Sequence, residues 1–253
     1  MRPAEHIQAY PRTEFSVREE LHVVTWNLGK QVVGSIGPQL EQLCTAKHCS
    51  LIALQEVRAK LQLPKEYGAH FGESFRMRPF GDAHGVMTLG SVMPSEALVL
   101  QAPHRELHVA TPKVALTTLH PVSDGSQLLA LNVHALNFDR KGHRFVAQIE
   151  ELGARLDQHD GPVLFCGDFN TWHPKRLGHL RQVADTHGLA EVQSEPGGGR
   201  TGGATRLGNL LFGIDPQLQL DRIFYRGLRL IDQRWLPELD ASDHVPLHAR
   251  FAF

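Results

Sequence analysis

The sequence predicts an α/β domain in which two sheets pack face to face, with helices on the outside. Three observations point there. Short apolar runs of strand length recur along most of the chain, and a few stretches of helical period lie between them. No stretch has the composition of an interdomain linker, and no internal repeat or low-complexity run interrupts the pattern. At 253 residues the chain lies between one and two average domains, but a single large sandwich-type domain reaches about that length.

The elements follow in order. Residues 1–20 are polar and read as a loosely held arm ahead of a single domain over 21–253. Leu21 to Trp26 is rich in β-formers and is predicted as a strand ending at Asn27. Pro38 to Cys49 is predicted as a helix, with Pro38 suited to a first helical position and Leu40, Leu43 and Cys44 on one face. Leu51 to Leu54 is a buried strand running into Gln55 and Glu56. Residues 61–82 show no clear period and read as loop with short elements. Gly85–Leu89 and Ala97–Gln101 are two more strands around Pro94.

Val114–Leu119 and Gln127–Val133 flank Ser123-Asp124-Gly125, a hairpin signal. Phe145, Ile149, Leu152 and Leu156 form one helical face, and Asp160-Gly161-Pro162 stops that helix. Val163–Cys166 is a buried strand entering Gly167-Asp168. Pro174 opens another helix with Leu177, Leu180 and Val183 inward. Residues 193–213 read as the longest Gly-rich loop and carry Arg200 and Arg206. Leu218–Tyr225, Leu228–Trp235 and Val245–Phe253 close the chain as strands.

Composition removes several classes. Hydrophobic residues at 42% and charged residues at 21% are those of a folded globular chain, not a disordered one. A net charge of −1 argues against gripping nucleic acid by bulk positive charge, while leaving room for an enzyme that touches a few phosphates. Cys44, Cys49 and Cys166 are odd in number and lack zinc spacing, so they read as reduced thiols. No run reaches ~18 apolar residues and the N-terminus has no apolar signal core, so the expected location is the cytoplasm, with no stable membrane association.

The functional signal is where the strands end. Asn27 ends TWN, and Glu56 ends LIALQE. Asn132 and His134 sit in LLALNVHALNF. Asp168 and Asn170 follow VLFC as GDFN. Asp221 lies in QLDRIFY, and Asp243-His244 opens the last strand as SDHVPL. A solvated strand end or a cap accounts for any one of these alone. Together, if the ends converge, they make a pocket of four carboxylates, two or three amides and two imidazoles. Buried like charges cost several kcal/mol unless a cation neutralises them. Oxygen donors without a cysteine set favour Mg²⁺, with Mn²⁺ as substitute, over Zn²⁺. Such a site suits phosphate substrates, with imidazoles and an unliganded Asp left for proton work.

TWN at 25–27, LQE at 54–56, NVHALNF at 132–138, GDFN at 167–170, LDRIF at 220–224 and SDH at 242–244 resemble the endonuclease/exonuclease/phosphatase superfamily. The spellings WNLGKQ, GVMTLG, KVALTTLHP and GPVLFCGDFN are similar to its bacterial YafD-like branch. The resemblance spans about residues 21–253. It implies a DNase I-like four-layer αββα sandwich of two packed, mainly antiparallel sheets with the site at one edge. It also implies roles: Glu56, Asn27 and Asp243 at the metal; Asp168 orienting or deprotonating water; Asn170 holding phosphate or that water; His134 donating to a phosphate oxygen. His244 would contact the scissile phosphate, with Asp221 orienting its ring. For Asn132 the resemblance leaves two readings open, a part in the site or support of its strand end only.

Two positions depart from the family's pattern. Many members carry an acid where this chain has Gly29, and an aromatic is common where it has Arg222. No long basic or aromatic insertion argues for lesion-specific DNA repair. The implied activity is a Mg²⁺-dependent phosphoester hydrolase, foremost a phosphodiesterase or nuclease of endonuclease or exonuclease type, acting on nucleic acid or nucleotide. A lipid or small-molecule phosphodiesterase or phosphatase is the alternative, and a non-catalytic binding protein keeping the fold is the reading of another class. GGGRTG at 197–202 lacks the strand-to-helix context of a dinucleotide site. His104 and His108, beside Pro103 and without a third ligand, read as exposed.

Overall fold

A computed structural model describes residues 1–29, 36–46, 48–76, 81–105, 112–137, 139, 142–193 and 218–253. In chain order its strands are β1 (Arg2–Pro3), β2 (Glu5–Gln8), β3 (Glu20–Asn27), β4 (Leu51–Arg58), β5 (Gly68–Arg76), β6 (Ala83–Gly90), β7 (Glu96–Arg105), β8 (Pro112–Pro121), β9 (Gln127–His134), β10 (Val163–Asp168), β11 (Ala190–Glu191), β12 (Asp221–Arg226), β13 (Arg229–Trp235) and β14 (Leu247–Ala252). The helices are α1 (Gly37–Ala46), α2 (His143–Leu156) and α3 (Pro174–Thr186).

Among the described residues the strands form two seven-stranded sheets. One runs β1-β7-β8-β9-β10-β12-β11 and the other β13-β14-β3-β4-β6-β5-β2. Each holds one parallel pair near its centre, β9 with β10 and β3 with β4, and the remaining pairs are antiparallel. A helix connects each parallel pair, α2 in the first case and α1 in the second.

Side-chain alternation builds the layers. Leu21, Val23, Leu51 and Ala53 meet Leu128, Ala130, Leu164 and Cys166 in a core between the sheets. Val24, Trp26, Ile52 and Leu54, on the opposite face, pack with Leu40, Leu43 and Cys44 of α1. Leu129, Leu131, Val133 and Phe165 pack with α2 and α3. The result is the four-layer αββα sandwich. Its central strands are buried on both faces, which is why they read as unbroken apolar runs rather than alternating ones.

Three segments differ from the sequence reading. Helix α1 is described over Gly37–Ala46, and His48 and Cys49 are not helical. Within 61–82, expected as loop with short elements, the nine-residue β5 pairs with β6; its Gly, His and Glu hid a strand that is a sheet neighbour on both sides. The first twenty residues are not a loose arm. β1 pairs with the outer side of β7 and β2 with the outer side of β5, so the segment covers an edge of each sheet. Phe15 is buried in the inter-sheet core. The three cysteines are buried thiols outside any disulfide, and burial pushes the Cys166 thiol up to about 12. No described helix is long and apolar enough to cross a membrane.

Candidate active site

Register places the polar strand ends side by side. Asp168, the last residue of β10, is the Cα partner of His134 on β9 and of Asp221 on β12. In the other sheet Asn27, the last residue of β3, is opposite Gln55, one residue before Glu56. The two parallel pairs therefore end at one edge of the sandwich, each delivering an amide or imidazole and a carboxylate.

The side chains join across the sheets. Asn27 Nδ2 donates to Asp168 Oδ2 at 2.7 Å, while Asn27 Oδ1 accepts from the Gly29 backbone at 2.9 Å. Asp168 Oδ1 accepts from the Asn170 backbone N–H at 2.9 Å, and Asn170 Nδ2 donates to the Ala135 carbonyl at 2.9 Å. His134 Nε2 lies 3.5 Å from Glu56 Oε1 and 3.8 Å from Asp168 Oδ2. His244 Nδ1 and Asp221 Oδ2 are 2.6 Å apart. Ser242 Oγ donates to the Asn27 carbonyl at 2.7 Å, bringing Asp243 and His244 to β3. Trp26 Nε1 donates to the His244 carbonyl at 2.9 Å.

Local backbone shape carries part of this. Glu56 has φ 54° and falls where the β4–β6 register slips between Leu54 and Val57, so a bulge re-aims its side chain. Asn170 has φ 50°. A non-glycine residue in this region is strained, and such strain concentrates at functional sites. Gly29 answers the first departure: its φ is +59°, and a Cβ there would stand 2.8 Å from Asp243 Oδ1. Gly167 of GDFN lies against β9 so closely that a Cβ would meet the Val133 carbonyl oxygen at 2.0 Å.

Electrostatics follow from burial. Asp168 is 2% exposed, and burial with the nearby Asp221 carboxylate raises its pKa above the usual carboxylate range, against the pull of His244 and the bonds from Asn170 and Asn27. Burial alone would lower the pKa of His244. The charge and hydrogen bond of Asp221, with Asp168 and Asp243 nearby, override this and raise it to about 10, so the ring is an imidazolium at neutral pH.

Asn132 does not join the cluster. Its Nδ2 donates to the Met87 carbonyl at 2.9 Å and its Oδ1 accepts from Gln55 Nε2 at 2.8 Å, a buried amide link between the sheets. Arg222 is also structural: its guanidinium reaches Thr171 Oγ1, the Gln219 carbonyl and Glu191. Arg200, Arg206, His108 and GGGRTG lie outside the described residues, and His104 is exposed.

Sequence reading missed two residues. Lys113, at the start of β8, is 8% exposed and places Nζ 2.6 Å from His134 Nε2 and 3.9 Å from Glu56 Oε1. Its signal was a lysine at the start of the strand in KVALTTLHP, one of the spellings that carry the resemblance. Arg176, on the first turn of α3, donates to the carbonyls of Leu136, Asn137, Asp139 and Asn170. Its guanidinium also lies 4.7 Å from the Phe145 ring and 4.5 Å from the Trp172 ring, between two loops that carry site residues.

The donors suit a hard divalent cation. Four carboxylates face Lys113 and the charged His244, and Asp221 Oδ1 is buried with no hydrogen-bond partner among the described residues. No thiolate is near. Among the described residues no group of three or more His, Cys, Asp or Glu side chains is placed to hold a metal ion. An ion held by one or two carboxylates and several waters fits that arrangement; a structural Zn²⁺ does not.

Comparison with known proteins agrees with this architecture. The sequence profile of the Endonuclease/Exonuclease/phosphatase family matches residues 24–244. A UPF0294 protein of Yersinia pseudotuberculosis serotype O:1b (strain IP 31758), a YafD-like relative, is 34% identical over 241 residues, covering 92% of this chain and 84% of its own. The endonuclease/exonuclease/phosphatase from Beutenbergia cavernae DSM 12333 superposes with a TM-score of 0.72 at 19% identity, covering 93% of this chain and 72% of that one. D. rerio TDP2 complexed with single strand DNA product superposes with a TM-score of 0.68 at 15% identity, covering 93% of this chain and all of that one. At such identities the two structures share the fold.

Proposed function

This chain belongs to the endonuclease/exonuclease/phosphatase family, and on that premise we propose that it is a Mg²⁺-dependent phosphodiesterase, cleaving nucleic acid or a nucleotide by in-line attack of water. Mn²⁺ would substitute for Mg²⁺. The observation that carries the reading is the Asn27–Asp168 hydrogen bond, which joins the two sheets beside the Asp221–His244 pair. Family membership supports phosphoester hydrolysis, and the DNA product named with the D. rerio neighbour supports a nucleic-acid substrate.

Glu56, with Asn27 and Asp243, would hold the ion. When bound, it would neutralise charge on the phosphoryl oxygens. Asp168 would orient the attacking water and accept its proton; burial raises its pKa above the usual carboxylate range, which makes it a better base, while hydrogen bonds from Asn27 and Asn170 hold it in place. His244 spends Nδ1 on Asp221, leaving Nε2 to meet the scissile phosphate as a fixed positive charge. Asn170 would hold a phosphate oxygen or the water, with its amide anchored on Ala135. His134 would stand beside the phosphate between Glu56 and Asp168. Phosphoryl transfer rewards this kind of positioning and charge placement over covalent catalysis.

Nicking of supercoiled plasmid with Mg²⁺, with Mn²⁺ and with EDTA tests the reading, using Asp168→Asn purified in parallel. Metal-dependent nicking lost in the variant is the expected result. Equal nicking by both proteins would overturn the nuclease assignment.

A further inference from the structure

We infer that Cys44 and Cys49 are a redox modification site: under hydrogen peroxide their thiols close a disulfide that ties the end of α1 to the entry of β4. The site is independent of the phosphoester chemistry.

The turn after the helix builds the pair. His48 has φ 48°, a left-handed conformation uncommon for a non-glycine residue. There the chain folds back, and the Cys49 backbone N–H donates to the Leu43 carbonyl at 3.5 Å. That carbonyl belongs to the peptide joining Leu43 to Cys44, so standard backbone dimensions put the two cysteine Cα atoms about 5–7 Å apart. A disulfide spans about 4.4–6.8 Å between Cα atoms. Both side chains lie in the apolar cluster between α1 and the β3–β4 pair. The charge of Cys49 adds to burial in raising the Cys44 thiol, so the two sulfurs are within electrostatic reach of each other. Cys166 belongs to the core between the sheets, and the β3–β4 sheet separates it from this pair.

The surroundings select the chemistry. Cys44 is 4% exposed and Cys49 0%, so the oxidant that reaches them is small and uncharged. Tyr67 Oη donates to the Cys44 carbonyl at 3.2 Å, and its bond to the Cys44 thiol lowers that thiol's pKa against the effect of burial. The Cys44 thiolate attacks one peroxide oxygen, the O–O bond breaks, and the leaving hydroxide takes up the proton the thiol gave, forming water and a sulfenic acid. The Cys49 sulfur then attacks the Cys44 sulfur. The S–S bond forms, the S–O bond breaks, and hydroxide leaves with the Cys49 proton as a second water. Two thiols lose two electrons and one peroxide becomes two waters. Burial keeps both thiols largely protonated at neutral pH, so the reaction is slow.

Peptide mapping of the full chain tests this. Trypsin cleaves after Lys47, so a Cys44–Cys49 bond joins peptide 31–47 to peptide 48–58. The protein is treated with hydrogen peroxide in native buffer, quenched with catalase, then alkylated in denaturant and digested. Alkylatable thiols should fall from three to one, the survivor being Cys166, and dithiothreitol should restore all three. The joined peptides should appear, and the oxidised protein should melt no lower than the reduced one. Cys49→Ser should instead leave a sulfenic acid at Cys44 that dimedone traps. Three thiols surviving peroxide, a bond that forms only in urea, a bond to Cys166, or a lowered melt overturns the inference.

Discussion

Asn27 and Asp168 end strands in different sheets, and the 2.7 Å bond from the Asn27 amide to the Asp168 carboxylate closes the site edge of the sandwich. Asp168 is buried beside Asp221, so its charge opposes folding while serving chemistry. Asp168→Asn should therefore abolish activity, with a fall in kcat of about 10³-fold or more, yet leave Tm unchanged or higher. Parallel kinetics and thermal melts check it. A large loss of Tm would show that the carboxylate is structural.

Asn132, two residues before His134, should behave in the opposite way. Its amide bonds Leu54 and Met87 carbonyls across the inter-sheet space and takes a bond from Gln55. Asn132→Ala should cost about 2–3 kcal/mol in urea unfolding, because it leaves buried partners unsatisfied, and should change kcat per folded molecule less than about threefold.

Arg176 holds the loop after β9 to the loop after β10 through four carbonyls. Arg176→Met should destabilise by about 2–4 kcal/mol and lower kcat with little change in KM, as Asn170 loses its anchor. Arg176→Lys, with a point charge in place of the planar fork, should recover only part of either loss. Chevron or equilibrium urea titrations with steady-state kinetics separate the two effects.

Acid should destabilise the fold through two buried histidines. Burial holds His120 down to about 3, against a bond to the Val92 carbonyl that raises it. Burial, with His6 nearby, holds His70 down to about 4. Both have folded pKa values below their unfolded value of about 6.5. Their neutral forms contribute full stability above about pH 6.5, and that contribution is lost as pH falls from there through the folded values. For His120 the slope approaches about 1.4 kcal/mol per pH unit. Urea midpoints at pH 7.5 and 5.0 should differ in wild type, and differ less in His120→Gln.

Much of the fold was legible because its strands lie between other layers. A strand covered on both faces is mostly apolar, so Leu21–Trp26, Leu51–Leu54 and Val163–Cys166 announce themselves, and so does the polar residue that follows each. β5 and the first twenty residues were not legible. An edge or near-edge strand is defined by its partner, and the chain's own pattern carries little trace of that partner.

The sequence by itself determined which residue types were available: carboxylates, amides and imidazoles at strand ends, with no cysteine among them, on a chain able to bury two sheets. Only the tertiary structure decided which of them meet. It set Asp168 beside His134 and Asp221 by register, bent Glu56 inward at a bulge, sent Asn132 to the inter-sheet core, and brought Lys113 from β8 to His134. Period-two alternation and strand register depend on partners far along the chain, so the face a side chain takes, and hence its chemistry, is settled when the two sheets close on each other.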